Sequence, residues 1–184
     1  LTAIENLTGS AYADTLSGNA SANVLDGGTG ADTLSGGDSS DNYYVDNAGD
    51  VVIETNAAFT TGGWDVVHST LTSYTLPANV ENLRILSAAS ANGTGNELNN
   101  VLYAGAGSNV FDGDNGTDTV SYLYATAAIT ASLAVAGAQA TGGSGSDTFI
   151  GIENLTGSSY ADTLTGNSSA NVLDGGAGAD TMAG

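Results

Sequence analysis

Apolar residues return along this chain at every ninth position. Leu7, Leu16, Leu25, Leu34 and Tyr43 form one series, Leu102, Phe111 and Val120 a second, and Leu155, Leu164, Leu173 and Met182 a third. A nine-residue step does not keep to one face of an α-helix, whose apolar stripe follows a 3.6-residue period. The two or three glycines in each step would also break a helix. The pattern predicts a short strand and a tight glycine turn per step, with two steps closing one coil of 18 residues. Fixed repetition of this kind marks a solenoid, so the expected fold class is an all-β solenoid with irregular β insertions.

A second, longer period overlies the first. Residues 4–36 align without gaps on residues 152–184, a shift of 148, and 27 of the 33 pairs are identical. The chain therefore holds slightly more than one copy of a larger unit. It begins at Leu1 and reads as a segment of a longer protein with tandem copies. Five segments are expected: repeats over 1–43, a β-rich spacer continuing the solenoid over 44–94, repeats over 95–121, a strand spacer ending in a repeat over 122–150, and repeats over 151–184. The first spacer holds most of the larger side chains, among them Val52, Phe59, Trp64, Val67, Tyr74 and Leu83, with Pro77 at a turn or edge. In the second, Ile129, Ala131, Leu133 and Val135 alternate with Thr130, Ser132, Ala134 and Ala136, which predicts a half-buried strand.

Composition narrows the partner. Of 184 residues, 20 are acidic and 1 is basic, giving a formal net charge of -19. Nucleic acid needs Lys and Arg to displace counterions, and an anionic membrane surface attracts the same residues, so the charge argues against the first and disfavours the second. There is no run of about 20 apolar residues to insert in a membrane. The natural partner is a cation. Cysteine is absent, so neither disulfides nor thiol chemistry contribute. Leu, Ile, Val and Phe make up 37 residues, a thin core at the border of the disordered class. A ligand that favours the folded state would offset the cost of ordering this chain.

The nonapeptide supplies a site for such a ligand. Gly27–Ser35 reads GGTGADTLS, Gly142–Ile150 reads GGSGSDTFI and Gly175–Ala183 reads GGAGADTMA. Glycine tolerates positive φ and lets carbonyls crowd together, while the aspartate adds a charged oxygen. A flexible, all-oxygen site suits Ca²⁺ better than Mg²⁺, which demands strict octahedra, and a lone His with no Cys makes zinc remote. With residue n beside residue n+18, Asp14 falls near Asp32 and Asp162 near Asp180. Carboxylates about 5 Å apart repel by roughly 3 kcal/mol at an effective dielectric of 20. A dication between coils would turn that repulsion into a clamp and couple binding to folding.

These residues resemble the repeats-in-toxin (RTX) family of secreted bacterial proteins. The resemblance is strongest in the three frames just quoted, good in Gly36–Tyr44 (GGDSSDNYY) and Gly113–Ser121 (GDNGTDTVS), and degenerate in Gly9–Ser17, Gly18–Asp26 and Gly95–Tyr103. It implies a parallel β-roll that leaves a Gram-negative cell unfolded by type I secretion and folds on several Ca²⁺ ions outside. Carried over by position, Asp14, Asp32, Asp41, Asp118, Asp147, Asp162 and Asp180 are carboxylate ligands. Gly28, Gly30, Gly143, Gly145, Gly176 and Gly178 supply backbone carbonyls. Asn23, Asn100, Asn109 and Asn171 keep a carbonyl without charge, so fewer ions than turns are expected.

Other polar residues read as structural. Asp46, Asp50, Glu54 and Asp65 are taken as solvated loop residues, and His68 as a strand-surface residue, since nothing nearby supplies a nucleophile elbow. Trp64 is a cap or core residue. Glu5 and Glu153 recur at one repeat position and are structural rather than a glycosidase pair. The expected function is a non-enzymatic calcium-binding module of a large secreted or cell-surface protein (adhesin, surface-layer or filament type), with end-to-end self-association through exposed strand edges. The alternative is a secretion and folding module attached to a catalytic domain outside this chain. A polysaccharide lyase within the chain is disfavoured by the near absence of cations, and ice binding by Val24, which interrupts the row of Thr15, Thr33 and Asn42.

Overall fold

The computed structural model describes residues 4–56 and 60–184; Leu1 and Phe59, named above, lie outside the described residues. The chain winds as a parallel β-solenoid. One face is a continuous nine-stranded parallel sheet of β1 (Asn6–Thr8), β3 (Val24–Asp26), β5 (Asn42–Val45), β7 (Val66–Ser69), β9 (Asn82–Ile85), β11 (Val101–Tyr103), β13 (Thr119–Ser121), β17 (Asn154–Thr156) and β19 (Leu173–Asp174). The opposite face is divided into three. Its first part is β2 (Thr15–Ser17), β4 (Thr33–Ser35) and β6 (Val51–Ile53). The second is β8 (Ser73–Thr75), β10 (Asn92–Thr94), β12 (Val110–Asp112), β16 (Gly145–Ile150) and β15 (Gln139–Gly142), and the third is β14 (Thr130–Ser132), β18 (Thr163–Thr165) and β20 (Thr181–Ala183).

A three-residue strand places only its middle side chain inward, because successive side chains alternate between faces. This is why one apolar residue per nine suffices. Register stacks these residues in a column: Leu7 on Leu25, Leu25 on Tyr43, Tyr43 on Val67, Val67 on Leu83, Leu83 on Leu102, Leu102 on Val120 and Val120 on Leu155. From Leu25 to Val120 all are fully buried, and Leu155 nearly so. Each contributes about 1.5–3 kcal/mol of apolar burial. The 18-residue coil is not rigidly kept. The column steps 24 residues from Tyr43 to Val67, 16 from Val67 to Leu83 and 35 from Val120 to Leu155. On the facing column Gly93 stands between Tyr74 and Phe111, where an added Cβ would come within 2.9 Å of Leu83 Cδ2.

Two expectations are corrected. The alternating segment from Ile129 does not run as a strand to Ala136. Ile129 and Ala131 are buried, but the strand stops at Ser132 and Val135 is exposed. Gln139 causes the reversal: its Oε1 accepts the Ser132 N–H at 2.8 Å and its Nε2 donates to the Ser132 carbonyl at 2.7 Å. The glycines of Gly142–Ile150 do not form a solenoid turn either. Gly142 pairs with Gly145 across an antiparallel β15–β16 hairpin closed by Gly143-Ser144, a two-residue connection that glycine permits.

Candidate metal sites

Most turns end on an acid or amide just before a strand, and these side chains form a ladder along both edges. The backbone N–H of one coil donates to the side-chain oxygen of the next: Asp14 to Asp32 Oδ1 at 2.8 Å, Asn23 to Asp41 Oδ1 at 2.7 Å, Asn100 to Asp118 Oδ1 at 2.7 Å and Asp162 to Asp180 Oδ1 at 2.9 Å. Asp50 extends the column by accepting from Asp32, and Glu81 and Glu153 do so by accepting from Asp65 and Asp118. Stacked carboxylates therefore do not simply face one another, because an amide lies between them. Glu153 is a rung, which gives it the structural role read from its repetition.

The second oxygen divides the turns into two kinds. In 9–14, 18–23, 95–100, 157–162 and 166–171, the second residue of the turn turns its N–H inward onto the sixth-position side chain. Ser10 donates to Asp14 Oδ2 at 2.6 Å, Asn19 to Asn23 Oδ1 at 2.7 Å, Asn96 to Asn100 Oδ1 at 2.7 Å, Ser158 to Asp162 Oδ2 at 2.5 Å and Asn167 to Asn171 Oδ1 at 2.7 Å. The hydroxyls of Ser10 and Ser158 add to the same carboxylates. The Ser10 hydrogen bonds hold the Asp14 carboxyl below its usual range. The chain itself thus satisfies both oxygens of Asp162, through Ile129 and Ser158, and Oδ2 of Asp14.

In 27–32, 36–41, 113–118 and 175–180 the second and fourth residues adopt positive φ: 77° at Gly28 and 155° at Gly30, 112° at Gly37 and 71° at Ser39, 65° at Asp114 and 128° at Gly116, 75° at Gly176 and 147° at Gly178. The second N–H is turned away from the sixth-position acid. In three of these turns it bonds the residue before the turn instead, with Gly28, Asp114 and Gly176 donating to Asp26, Asp112 and Asp174 at 3.0, 3.2 and 2.9 Å. The consequence is a buried carboxylate oxygen with no partner: Asp32 Oδ2, Asp41 Oδ2 and Asp118 Oδ2. Asp180 shares the backbone form and is half-buried. A Cβ at Gly28 would collide with the Ser10 carbonyl, so that position admits the preceding coil's oxygen only as glycine. Burial raises Asp118 from 3.8 to about 6 and Asp41 to about 7. An unpartnered, buried, ionisable oxygen among crowded carbonyls fits a hard oxygen-seeking dication.

The chain's similarity to known proteins agrees with this geometry. A family model described as the RTX calcium-binding nonapeptide repeat matches four times, over residues 8–43, 18–52, 94–122 and 149–182, more than half of the chain. The chain belongs to this family. No curated protein and no solved structure matches it. It is thus a calcium-binding structural repeat module, and among the described residues no helix is long and apolar enough to cross a membrane.

Measured against the RTX pattern, the structure sorts the candidate ligands. Gly28, Gly30, Asp32, Asp41, Asp118, Gly176, Gly178 and Asp180 lie in left-handed turns. Asp14 and Asp162 lie in turns that cap them locally. Gly143 and Gly145 belong to the hairpin, and Asp147 is saturated: Asn109 N–H, Tyr122 Oη and Thr141 Oγ1 donate to it at 2.8, 2.8 and 2.9 Å. The hairpin thus places Gly143, Gly145 and Asp147 outside the left-handed turns, with the Gly145 carbonyl accepting from Thr141 Oγ1 at 3.2 Å.

Three residues read as solvent-facing are not. His68 is 7% exposed, stacked on Tyr44 at 4.7 Å with Nε2 2.9 Å from Asn42 Oδ1, and burial lowers it from 6.5 to about 4. Glu54 and Asp65 are 7% and 0% exposed. Asp65 could have been found from Asp65-Val66-Val67, which repeats the acid, outward, inward order of Asp32-Thr33-Leu34. Glu54 leaves no such signal in the sequence.

Proposed function

We propose that this chain is a calcium-loaded rod segment of a large secreted or cell-surface bacterial protein of adhesin, surface-layer or filament type, folding on the ion outside the cell. One observation carries the reading: the chain contains the junction between one 148-residue unit and the next. Strand β17 repeats β1 in sequence and sits on β13 in parallel register, Val120 opposite Leu155. On the other face β18 repeats β2 and sits on β14, Ala131 opposite Leu164. The solenoid thus continues across the junction, and β1 lies seven strand spacings from its repeat along the long sheet. At about 4.8 Å per strand, each added unit lengthens the rod by about 34 Å. The pairing edges that join tandem units would equally join separate copies end to end. The five sequence segments are then parts of one solenoid and not independent domains.

Small-angle scattering in Ca²⁺ tests this, comparing the chain with one extended by a further 148-residue unit. The long dimension should grow by about 34 Å at constant cross-section. Two compact bodies joined by a hinge would contradict the rod. A catalytic domain flanking the chain in its parent sequence, without further copies, would favour the secretion-module alternative.

A further inference from the structure

The insertion between β6 and β7 does more than lengthen a coil. Glu54 opens it directly after β6, and Asp65 closes it directly before β7. Both point inward to Asp41 at the end of turn 36–41. One oxygen from each of Asp41, Glu54 and Asp65 lies within 4.8 Å of the others, and this is the trio among the described residues so arranged. All three side chains are more than nine-tenths buried, and each keeps one oxygen without a partner: Asp41 Oδ2, Glu54 Oε2 and Asp65 Oδ2. The remaining oxygens are committed. Asp65 Oδ1 accepts the Asp41 N–H at 2.7 Å, Asp41 Oδ1 accepts the Asn23 N–H at 2.7 Å, and Glu54 Oε1 accepts from the Tyr43 hydroxyl, which in turn accepts the Gly36 N–H at 2.8 Å.

Hydrogen bonds therefore fix one oxygen of each carboxylate and leave a bare oxygen on each, where the three carboxylates converge inside the roll. No cationic side chain answers them: Arg84, the only one in the chain, lies 3.6 Å over the Tyr124 ring. Oxygens within 4.8 Å of one another can all touch a Ca²⁺ ion held at about 2.3–2.6 Å from each.

We propose that Asp41, Glu54 and Asp65 form an internal site for a divalent cation of the calcium class, built from side-chain carboxylates and drawing two of its three ligands from outside the repeats. It differs from the turn sites in needing Glu54, a residue with no place in the nonapeptide. The ion would pin the longest insertion of the first spacer to the repeat below it, where the 18-residue coil is broken.

The test counts ions in the whole chain by equilibrium dialysis with Ca²⁺, for wild type and for Glu54→Gln. The variant should bind one ion fewer and leave the rest unchanged, whereas Asp118→Asn should remove a different one. A second readout uses Tb³⁺ luminescence excited through Trp64, the chain's one tryptophan and the neighbour of Asp65. Wild type should show this emission, and Glu54→Gln should lose at least half of it while keeping tyrosine-excited emission from the other sites. Should Glu54→Gln fail to fold, Asp65→Asn is read in the same way. An unchanged ion count with unchanged tryptophan-excited emission overturns the proposal. So does a Glu54→Gln variant that gains stability in EDTA yet binds as many Ca²⁺ ions as wild type, because the three carboxyls then share protons and hold no ion. Loss of every ion in wild type would instead contradict the calcium function of the repeats.

Discussion

Replacing Asp118 by Asn should move stability in opposite directions with and without calcium. The side chain is fully buried; Oδ1 accepts the Asn100 N–H at 2.7 Å, and Oδ2 has no partner. Burial raises its pKa from 3.8 to about 6. At 1.36 kcal/mol per unit, the ionised carboxylate opposes folding by about 3 kcal/mol at neutral pH when no cation is present. Asparagine keeps the shape and the acceptor for Asn100 while discarding the charge. The fold already uses it in this column, where Asn100 Nδ2 donates to the Val80 and Glu81 carbonyls at 3.2 and 3.1 Å. In EDTA, Asp118→Asn should therefore gain about 1–3 kcal/mol. In saturating Ca²⁺ it should lose a charged ligand, with at least a tenfold weaker calcium midpoint, about 1.4 kcal/mol. Urea unfolding followed by circular dichroism reads both arms, with sucrose added in EDTA to populate the fold. Destabilisation of equal size in both solutions would refute the reasoning and reduce Asp118 to a turn residue.

Other perturbations separate the two kinds of turn. Asp162→Asn should leave the calcium midpoint within about twofold of wild type, because Ser158 and Ile129 already satisfy that carboxylate; a tenfold shift would contradict this. Gly28→Ala forces a side chain into positive φ against the Ser10 carbonyl and should cost at least about 1–2 kcal/mol, read by thermal melting in calcium. Leu102→Ala empties a fully buried column position and should cost about 2–5 kcal/mol with no change in ion count by dialysis. In EDTA, stability should rise as the pH falls from about 8 to about 6. Asp65, Asp41 and Asp118, raised to about 8, 7 and 6, take up protons in the folded state before the unfolded one does. His68, lowered to about 4, acts the other way below about 6.5 and offsets part of that gain; a steady loss of stability from about pH 8 downward would oppose this assignment.

The ninefold ladder from Leu7 to Tyr43 fixes strand positions, inward residues and coil register, because a three-residue strand has one inward position and leaves no alternative. The glycine-aspartate frames likewise identify Asp32 and Asp180. Two things were not legible. GGSGSDTFI matches the repeat more closely than GDNGTDTVS does. Even so, the first forms a hairpin and the second a left-handed turn, since the outcome depends on what precedes the glycines. Asp112 leads into one turn, and an extended Gln139–Gly142 strand into the other. The buried trio was hidden because Glu54 and Asp65 stand 11 residues apart in a stretch without the repeat, and only coil closure brings them onto Asp41.

The central claim is that calcium binding and folding are one process. Far-UV circular dichroism during titration of Ca²⁺ into EDTA-treated protein, with Mg²⁺ as control, tests it most directly. The account predicts a transition from coil to β-structure with Ca²⁺ and none with Mg²⁺ at equal concentration. Full β-structure in EDTA, unchanged by calcium, would contradict it and leave the apolar columns and the amide ladder as sufficient to hold the fold.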